Sequence, residues 1–395
     1  MQHTTLPPLR LAGREVLPIV QGGMGVGISA HRLAGSVAAC NAVGTISSVD
    51  LRRHHPDLMA ATVGIRDEAQ AKAAIDAANL RALDREIRAA RTLAQGRGLL
   101  AVNVMRALTE YAHYVEQACA SGIDAVVVGA GLPLDLPELT ADFPKVALIP
   151  ILSDARGIAL ILKKWERKGR LPDAIVIEHP RHAGGHLGAA RIEDLSDARF
   201  EFETVLPETL ALLRAMGAEG RVRLIPAGGI DTPERVRQLL ALGADAVQLG
   251  TAFAVTEGSD ADPVFKQVLA AAKPEDIVEF MSVAGLPARA VRTPWLARYL
   301  EVAERLQAKV AARGTPRGHC QNKFDCLAQC GLRDGLPRAG QFCIDHQLAL
   351  ALKGDAEHGL FFRGAGRLPF GDQIRPVREL IAHMLGEVAP SPATY

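Results

Sequence analysis

The stretch RLIPAGGIDTPERVRQLLALGADAVQLGT, residues 223–251, contains two strand patterns with a helix pattern between them. RLIPAG (223–228) and AVQLG (246–250) are short apolar runs, which are typical of strands buried on both faces. The helix pattern at 232–242 opens with Asp-Thr-Pro and ends before Gly243. A strand, a helix and a second strand in this order predict one unit of a parallel sheet.

The same alternation continues over most of the chain. Strand patterns occur at 18–21, 43–47, 99–104, 124–129, 146–152, 173–178, 223–228 and 246–250. Helix patterns lie at 30–40, 67–95, 109–120, 154–168, 203–217 and 232–242. Eight such units predict an α/β fold of the (β/α)8 TIM barrel type over residues 1–295. Residues 296–395 are predicted to form a mainly helical, cysteine-containing extension. A doubly wound sheet is the main alternative, but GGMGVGIS lacks the glycine spacing of its dinucleotide site.

The charge balance excludes some classes of partner. The 395 residues contain 45 Lys and Arg against 44 Asp and Glu, so no global field attracts nucleic acid or an anionic membrane. The first residues lack the charged and apolar regions of a signal peptide, and no apolar run is long enough to span a bilayer. We therefore expect a cytoplasmic protein with a small-molecule substrate and neither a nucleic-acid nor a membrane partner.

Small and polar residues follow the predicted strands, where a TIM barrel binds its ligands. Gly228 and Gly229 follow the seventh strand, and Gly250 and Thr251 follow the eighth. Loops at these two places often form a phosphate site, because exposed backbone N–H groups and a helix start favour an anion.

The motifs QGGMG, AGGHLG, AGGI and GADAVQLGT occur in order along residues 16–295. Together they resemble those of the nitronate monooxygenase (2-nitropropane dioxygenase-like) family of FMN barrels, whose relatives include FMN-dependent enoyl-acyl-carrier-protein reductases. The resemblance implies an FMN site formed by Gly22, Gly23, Met24, Asn103, Glu178, Gly184, Gly185, Ala227, Gly228, Gly229, Gly250 and Thr251. In it, Asn103 would bond near the pyrimidine edge of the flavin, and the last four residues would hold the phosphate.

The loop IEHPRHAGGHLGA (177–189) holds three histidines. By the resemblance, His186 is the acid or base beside the flavin, a task that suits an imidazole. A zinc pair of His182 and His186 and a plain structural loop are the alternatives. His179 and His182 depart from the family pattern, which leaves the substrate open. In MSVAGLPARAVRTPW (281–295), the resemblance further predicts that Ser282, Gly285 and Arg289 line the floor of the active site or an ion site.

Four cysteines crowd into one late segment with the spacing C-x5-C-x3-C-x12-C, namely Cys320, Cys326, Cys330 and Cys343. Thiolates so close in sequence favour a [4Fe–4S] cluster over paired zinc knuckles. Zinc, with His319 or His346 as a ligand, and uncoordinated thiols remain alternatives.

These features predict an FMN-dependent oxidoreductase that oxidises alkyl nitronates with dioxygen. One alternative is an FMN reductase of an enoyl thioester or quinone, driven by NAD(P)H or a ferredoxin-like donor, with or without a [4Fe–4S] cluster. A non-catalytic flavin sensor is another. A homodimer is the common oligomeric state for such a chain.

Overall fold

The structure is a computed structural model, and it describes residues 6–313, 320 and 322–387. The strands in this part are β1 (Leu9–Leu11), β2 (Arg14–Val16), β3 (Ile19–Gln21), β4 (Val43–Ser47), β5 (Leu99–Met105), β6 (Ala125–Gly129), β7 (Ala147–Leu152), β8 (Ala174–Glu178), β9 (Gly185–His186), β10 (Arg223–Ala227), β11 (Val247–Leu249), β12 (Ile277–Met281) and β13 (Pro287–Val291).

Eight of these strands form a closed parallel barrel, in the order β3, β4, β5, β6, β7, β8, β10 and β11. The last strand closes the barrel by pairing with the first, with Val247 opposite Ile19 and Leu249 opposite Gln21. The predicted TIM barrel is therefore confirmed, and all eight predicted strands agree with the observed bounds within one residue.

The helices of the described residues are α1 (His31–Ala39), α2 (Pro56–Thr62), α3 (Glu68–Ala94), α4 (Tyr111–Ala120), α5 (Leu136–Leu139), α6 (Ala155–Glu166), α7 (Phe202–Ala215), α8 (Pro233–Ala241), α9 (Thr251–Ala254), α10 (Pro263–Ala271), α11 (Pro294–Arg313), α12 (Gly331–Asp334), α13 (Ile344–Leu352) and α14 (Val377–Met384). The six predicted helices agree with α1, α3, α4, α6, α7 and α8 within two residues. In the described part of the chain, no helix is long and apolar enough to cross a membrane.

The barrel strands are apolar throughout because both of their faces are buried. Along β5, Leu99 and Ala101 belong to the cluster inside the barrel, while Leu100 and Val102 belong to the larger cluster that includes the surrounding helices. The β1–β2 hairpin adds its apolar side chains to the inner cluster, where they pack with the first residues of the strands. This hairpin closes the amino-terminal end of the barrel, which leaves the carboxyl end as the open mouth.

The chain after the barrel packs back over this mouth. Strand β13 lies between β12 and β9 in a small antiparallel sheet, and Ala290 of β13 also bridges to Phe362. A second bridge joins Leu108, after β5, to Leu327. The division into units 1–295 and 296–395 stays a prediction, and the helix α11 that crosses it begins at Pro294.

Helix α1 is capped from a distant part of the sequence. Its own N-cap residue, Ala30, has no side chain that could bond the free N–H groups. Instead, the Asp260 carboxylate accepts hydrogen bonds from the backbone N–H groups of Ala30, Arg32 and Leu33, at 2.8, 3.0 and 3.0 Å. A carboxylate at a helix N-terminus also interacts favourably with the helix dipole, so this contact joins α1 to the loop before α10.

Replacing Asp260, which caps α1 from a distant part of the chain, should destabilise the protein more than replacing Asp67, which caps its own helix α3. We expect Asp260→Ala to lower the free energy of unfolding by about 3 kcal/mol, because three N–H groups lose a charged acceptor. Asp67→Ala removes the single cap bond to Gln70 N–H on the exposed start of α3 and should cost about 1 kcal/mol. Urea denaturation of both variants measures the difference, and equal losses would contradict the role given to Asp260.

Candidate active site

A cavity of about 290 Å³ opens at the carboxyl ends of the barrel strands. The residues predicted for the cofactor and for catalysis all line it, namely Gly22, Gly23, Met24, Asn103, Glu178, Gly184, Gly185, His186, Ala227, Gly228, Gly229, Gly250 and Thr251. The fold thus brings together residues from five barrel-strand ends that are up to 229 positions apart in the chain. Their individual roles stay predictions.

The loop after β3 lies against Asn103. A Cβ atom on Gly23 would come within 2.4 Å of the Asn103 Cβ atom, so only glycine fits there. The buried Gln21 side chain holds the start of this loop, because its Nε2 donates to the carbonyl of Gly22 and its Oε1 accepts from the Thr45 N–H at 2.8 Å. The Asn103 amide and the glycine backbone are thereby presented side by side to the cavity, an arrangement that fits the polar edge of a flavin.

A second end of the cavity, at the loops after β10 and β11, is built from glycines. Gly228 and Gly229 have φ angles of +101° and +69°, a region that favours glycine. A Cβ atom on Gly229 would also come within 2.8 Å of the His182 ring. Because β11 ends at Leu249 and α9 begins at Thr251, a helix start faces the same end. This end is suited to the phosphate of FMN, whose oxygens accept from open backbone N–H groups.

His186 lies in β9 and pairs with Ala288 of β13, which sets the position of its ring in the cavity. Its Nε2 atom is buried and has no hydrogen-bond partner in the described part of the chain. Burial lowers the pKa of the imidazole to about 4. The ring is therefore neutral at pH 7, and an unpaired Nε2 atom in a ligand cavity is available to a substrate.

The other two histidines of the loop differ from His186. His179 is buried outside the cavity, with its Nε2 3.2 Å from the Glu201 carboxylate and its ring edge-on to Phe202. His182 lines the cavity, and burial, followed by the proximity of His179, lowers its pKa to about 4. No group that includes the His182–His186 pair is arranged for a metal ion among the described residues, so the zinc alternative gains no support.

Glu178 ends β8 beneath the histidine loop. Burial raises the pKa of its carboxyl group to about 7, and the nearby Arg289 opposes this shift. Near neutral pH the group is thus divided between its charged and its neutral, proton-donating form.

The prediction that Ser282, Gly285 and Arg289 line the floor of the site is wrong, because none of them lines the cavity. Ser282 and Gly285 form the turn between β12 and β13, where the Gly285 N–H donates to the Ser282 carbonyl. The buried Arg289 pairs with Glu279 at 2.6 Å and donates to the carbonyls of Pro180 and Ala183. Arg289 therefore supports the backbone of the histidine loop without lining the cavity.

The C-terminal extension contributes a wall of the cavity that the motifs do not indicate. Its cavity-lining residues include Cys326, Leu327, Ile344, Asp345, Leu348, Ala351, Leu360, Phe362, Gly364, Gly366 and Arg367. A Cβ atom on Gly184 would come within 2.5 Å of the Gly364 nitrogen, so this glycine permits close contact with the extension. The glycine-rich stretch GLFFRGAGR (359–367) could have predicted this contribution, since it resembles the other glycine-rich loops of the barrel mouth.

The four late cysteines are free thiols, and Cys326 among them lines the same cavity. Burial raises the pKa of the Cys326 thiol well above its usual value, and Asp345 and the other three cysteines raise it further. Among the residues that the structure describes, however, no group of three or more His, Cys, Asp or Glu side chains is placed to hold a metal ion. The iron–sulfur site stays a prediction, as does zinc with His346; His319 lies outside the described residues.

Comparison with known proteins shows which proteins this chain is similar to. The nitronate monooxygenase from Pseudomonas aeruginosa is 34% identical over 117 residues, which cover 30% of this chain and 31% of that protein. FabK from Thermotoga maritima has a TM-score of 0.63 at 21% identity and covers 96% of this chain and 93% of its own. Nitroalkane oxidase from Streptomyces ansochromogenes has a TM-score of 0.60 at 20% identity, with 94% and 95% covered. These two structures share the fold.

The curated relatives align with this chain over only about a third of their own length. The model of the nitronate monooxygenase family, in contrast, matches residues 12–387, from the hairpin before the barrel to the end of the described extension. This range includes every loop of the cavity, and the chain therefore belongs to the nitronate monooxygenase family.

Proposed function

We propose that the protein is an FMN-dependent oxidoreductase that oxidises alkyl nitronates with dioxygen and uses His186 as its acid or base. The observation that carries this proposal is the unpartnered Nε2 atom of His186 in the glycine-lined cavity. When bound, FMN supplies an acceptor for the electrons of a carbanion and passes them to dioxygen. The chain's own residues bind, orient and handle protons.

The cofactor would lie between the two ends of the cavity. Gly228, Gly229, Gly250 and Thr251 would hold its phosphate, and Asn103 would bond its ring edge. Gly22 and Gly23 leave room for a flat ring because they carry no side chain. Leu348, Leu360 and Phe362 of the extension line the same cavity and exclude water from it.

A neutral imidazole suits this chemistry. In one tautomer, Nε2 of His186 accepts the carbon proton of a neutral nitroalkane, which thereby becomes the nitronate, and in the other it donates a hydrogen bond to a nitronate oxygen. The ring centroid of Phe362 lies 5.8 Å from that of His186, which limits the movement of the imidazole. Glu178, with its raised pKa, supplies a second proton-bearing group in the same cavity.

Oxygen uptake with an alkyl nitronate tests the activity. We expect the FMN-loaded protein to consume dioxygen with propyl-2-nitronate. With neutral 2-nitropropane, whose carbon must first lose a proton, His186→Asn should lower kcat/KM about 10²- to 10⁴-fold, as expected for loss of acid–base catalysis. His179→Asn, on the same loop but outside the cavity, is the matched control and should keep its activity. Bound flavin without oxygen uptake would favour the reductase or the sensor, and NAD(P)H oxidation with an enoyl thioester or a quinone would separate these two.

The lowered pKa of His186 also predicts a pH dependence of stability. The unfolded chain takes up a proton on this ring near pH 6.5, whereas the folded protein does so only near pH 4. The stability contributed by neutral His186 is therefore complete above about pH 6.5 and is lost as the pH falls towards 4. We expect the wild type to lose more unfolding free energy than His186→Asn between pH 7.5 and 5.0 in urea denaturation. Equal losses would show that the ring titrates normally.

The cysteine segment favours a second candidate, an FMN reductase that receives electrons through a [4Fe–4S] cluster from NAD(P)H or a ferredoxin-like donor. The supporting observation is that Cys326 lines the flavin cavity and that the three other cysteines influence its thiol. A cluster at Cys320, Cys326, Cys330 and Cys343 would lie next to the cofactor, so that electrons would travel only a short distance from the cluster to the flavin. A homodimer also stays a proposal.

Analysis of iron and acid-labile sulfide in anaerobically purified protein decides whether the cluster exists. The second candidate requires about four irons per chain, and their loss in Cys326→Ser. Cys40→Ser, at the end of α1, is the control and should keep the iron content of the wild type. Bound flavin without iron would exclude this cluster-dependent reductase and leave the oxidation of nitronates as the proposed function.

A further inference from the structure

The segment RGAGR, residues 363–367, crosses the phosphate end of the cavity. The Gly364 N–H donates to Thr251 Oγ1 at 3.0 Å, and the Ala365 N–H donates to the His182 carbonyl at 3.1 Å. A Cβ atom on Gly364 would come within 2.8 Å of that carbonyl, so the segment can pass this closely only with glycine. The extension is thereby attached to two loops of the barrel mouth.

Arg363 places a buried positive charge directly under this segment. The residue is 4% exposed, and its guanidinium donates to the carbonyls of Leu269, Gly364 and Gly366 at 2.9, 2.8 and 3.2 Å. No carboxylate in residues 6–313, 320 and 322–387 pairs with it. A buried guanidinium is normally paired with an anion, as Arg289 is with Glu279. These bonds use the Nε and Nη1 donors of Arg363 and shape the loop, but they leave its charge uncompensated.

Arg367 adds a second positive charge on the cavity side of the same loop. It lines the cavity, and no hydrogen bond or ion pair to its guanidinium occurs in the described part of the chain. A Cβ atom on its neighbour Gly366 would lie 3.7 Å from the Gly229 Cα atom, so Arg367 directly follows the point where the extension reaches the glycine loop. Asp231 also lines the cavity, and its negative charge would repel an anion. The two positive charges of Arg363 and Arg367 exceed this single negative charge.

We propose that residues 363–367 complete the phosphate site of the flavin, with Arg367 binding the phosphate oxygens and Arg363 positioning the loop and balancing the charge. This inference rests on the proposed use of FMN. A phosphate dianion matches two guanidinium groups, and an arginine can bind two of its oxygens at once. The glycines of the barrel contribute neutral N–H donors, whereas the extension contributes the charge. The C-terminal extension is then needed to retain the cofactor.

A comparison of FMN with riboflavin isolates the phosphate. Apoprotein is titrated with each flavin, and binding is followed by the quenching of flavin fluorescence. We expect Arg367→Ala to weaken FMN binding about 10- to 100-fold, as for loss of a hydrogen-bonded charge, and to leave riboflavin binding within about twofold. Arg367→Lys should restore much of the FMN affinity, and inorganic phosphate should compete with FMN but not with riboflavin. Arg338→Ala, at an exposed position of the extension, is the control.

The possible results separate this inference from the proposed function. Unchanged FMN binding by Arg367→Ala would overturn the inference alone, and so would equal weakening of FMN and riboflavin, because the effect would then be structural. Binding of neither flavin by the wild type would overturn the proposed function and the inference with it. Arg363→Met tests the buried charge, and should it fail to fold, the phosphate competition with the wild type and Arg367→Ala still decides.

Discussion

The pairing of β11 with β3 is the constraint on which the site depends. Because the last strand bonds the first, the loop at Gly22–Met24 lies next to Gly250 and Thr251 although more than 220 residues separate them. Closure also pairs the backbone groups of both edge strands and places all carboxyl ends at one mouth. An open sheet with the same eight strands would leave the two halves of the cavity apart.

The extension turns this open mouth into a lined cavity. Two of its contacts with the barrel involve glycines: Gly184 lies against Gly364, and the Gly364 N–H donates to the Thr251 hydroxyl. Gly184, a glycine of the family motifs, therefore lets a second chain segment approach, in addition to the flavin contact proposed for it. A substitution at such a position would disturb binding and packing together, and activity alone could not distinguish the two effects.

The barrel strands were predictable because each is a short apolar run whose two faces are both buried, so local composition reports the tertiary environment. The residues of the mouth were predictable for a related reason, as each follows a strand. Arg289 shows the limit: its motif suggested an active-site floor, but its guanidinium faces the carbonyls behind the histidine loop. The side of a strand to which a residue points depends on pairing register, which its sequence motif does not contain.

The sequence by itself determined the barrel, its eight strands and the set of residues at its mouth, because apolar strand runs and the positions that follow them are local properties of the chain. Only the tertiary structure decided that His179 lies outside the cavity and that, among the described residues, His186 Nε2 has no hydrogen-bond partner and Arg363 is buried without a carboxylate. These properties depend on which distant groups surround a side chain and exclude water from it. Burial and charge pairing arise from contacts between segments far apart in sequence, and no local pattern records them.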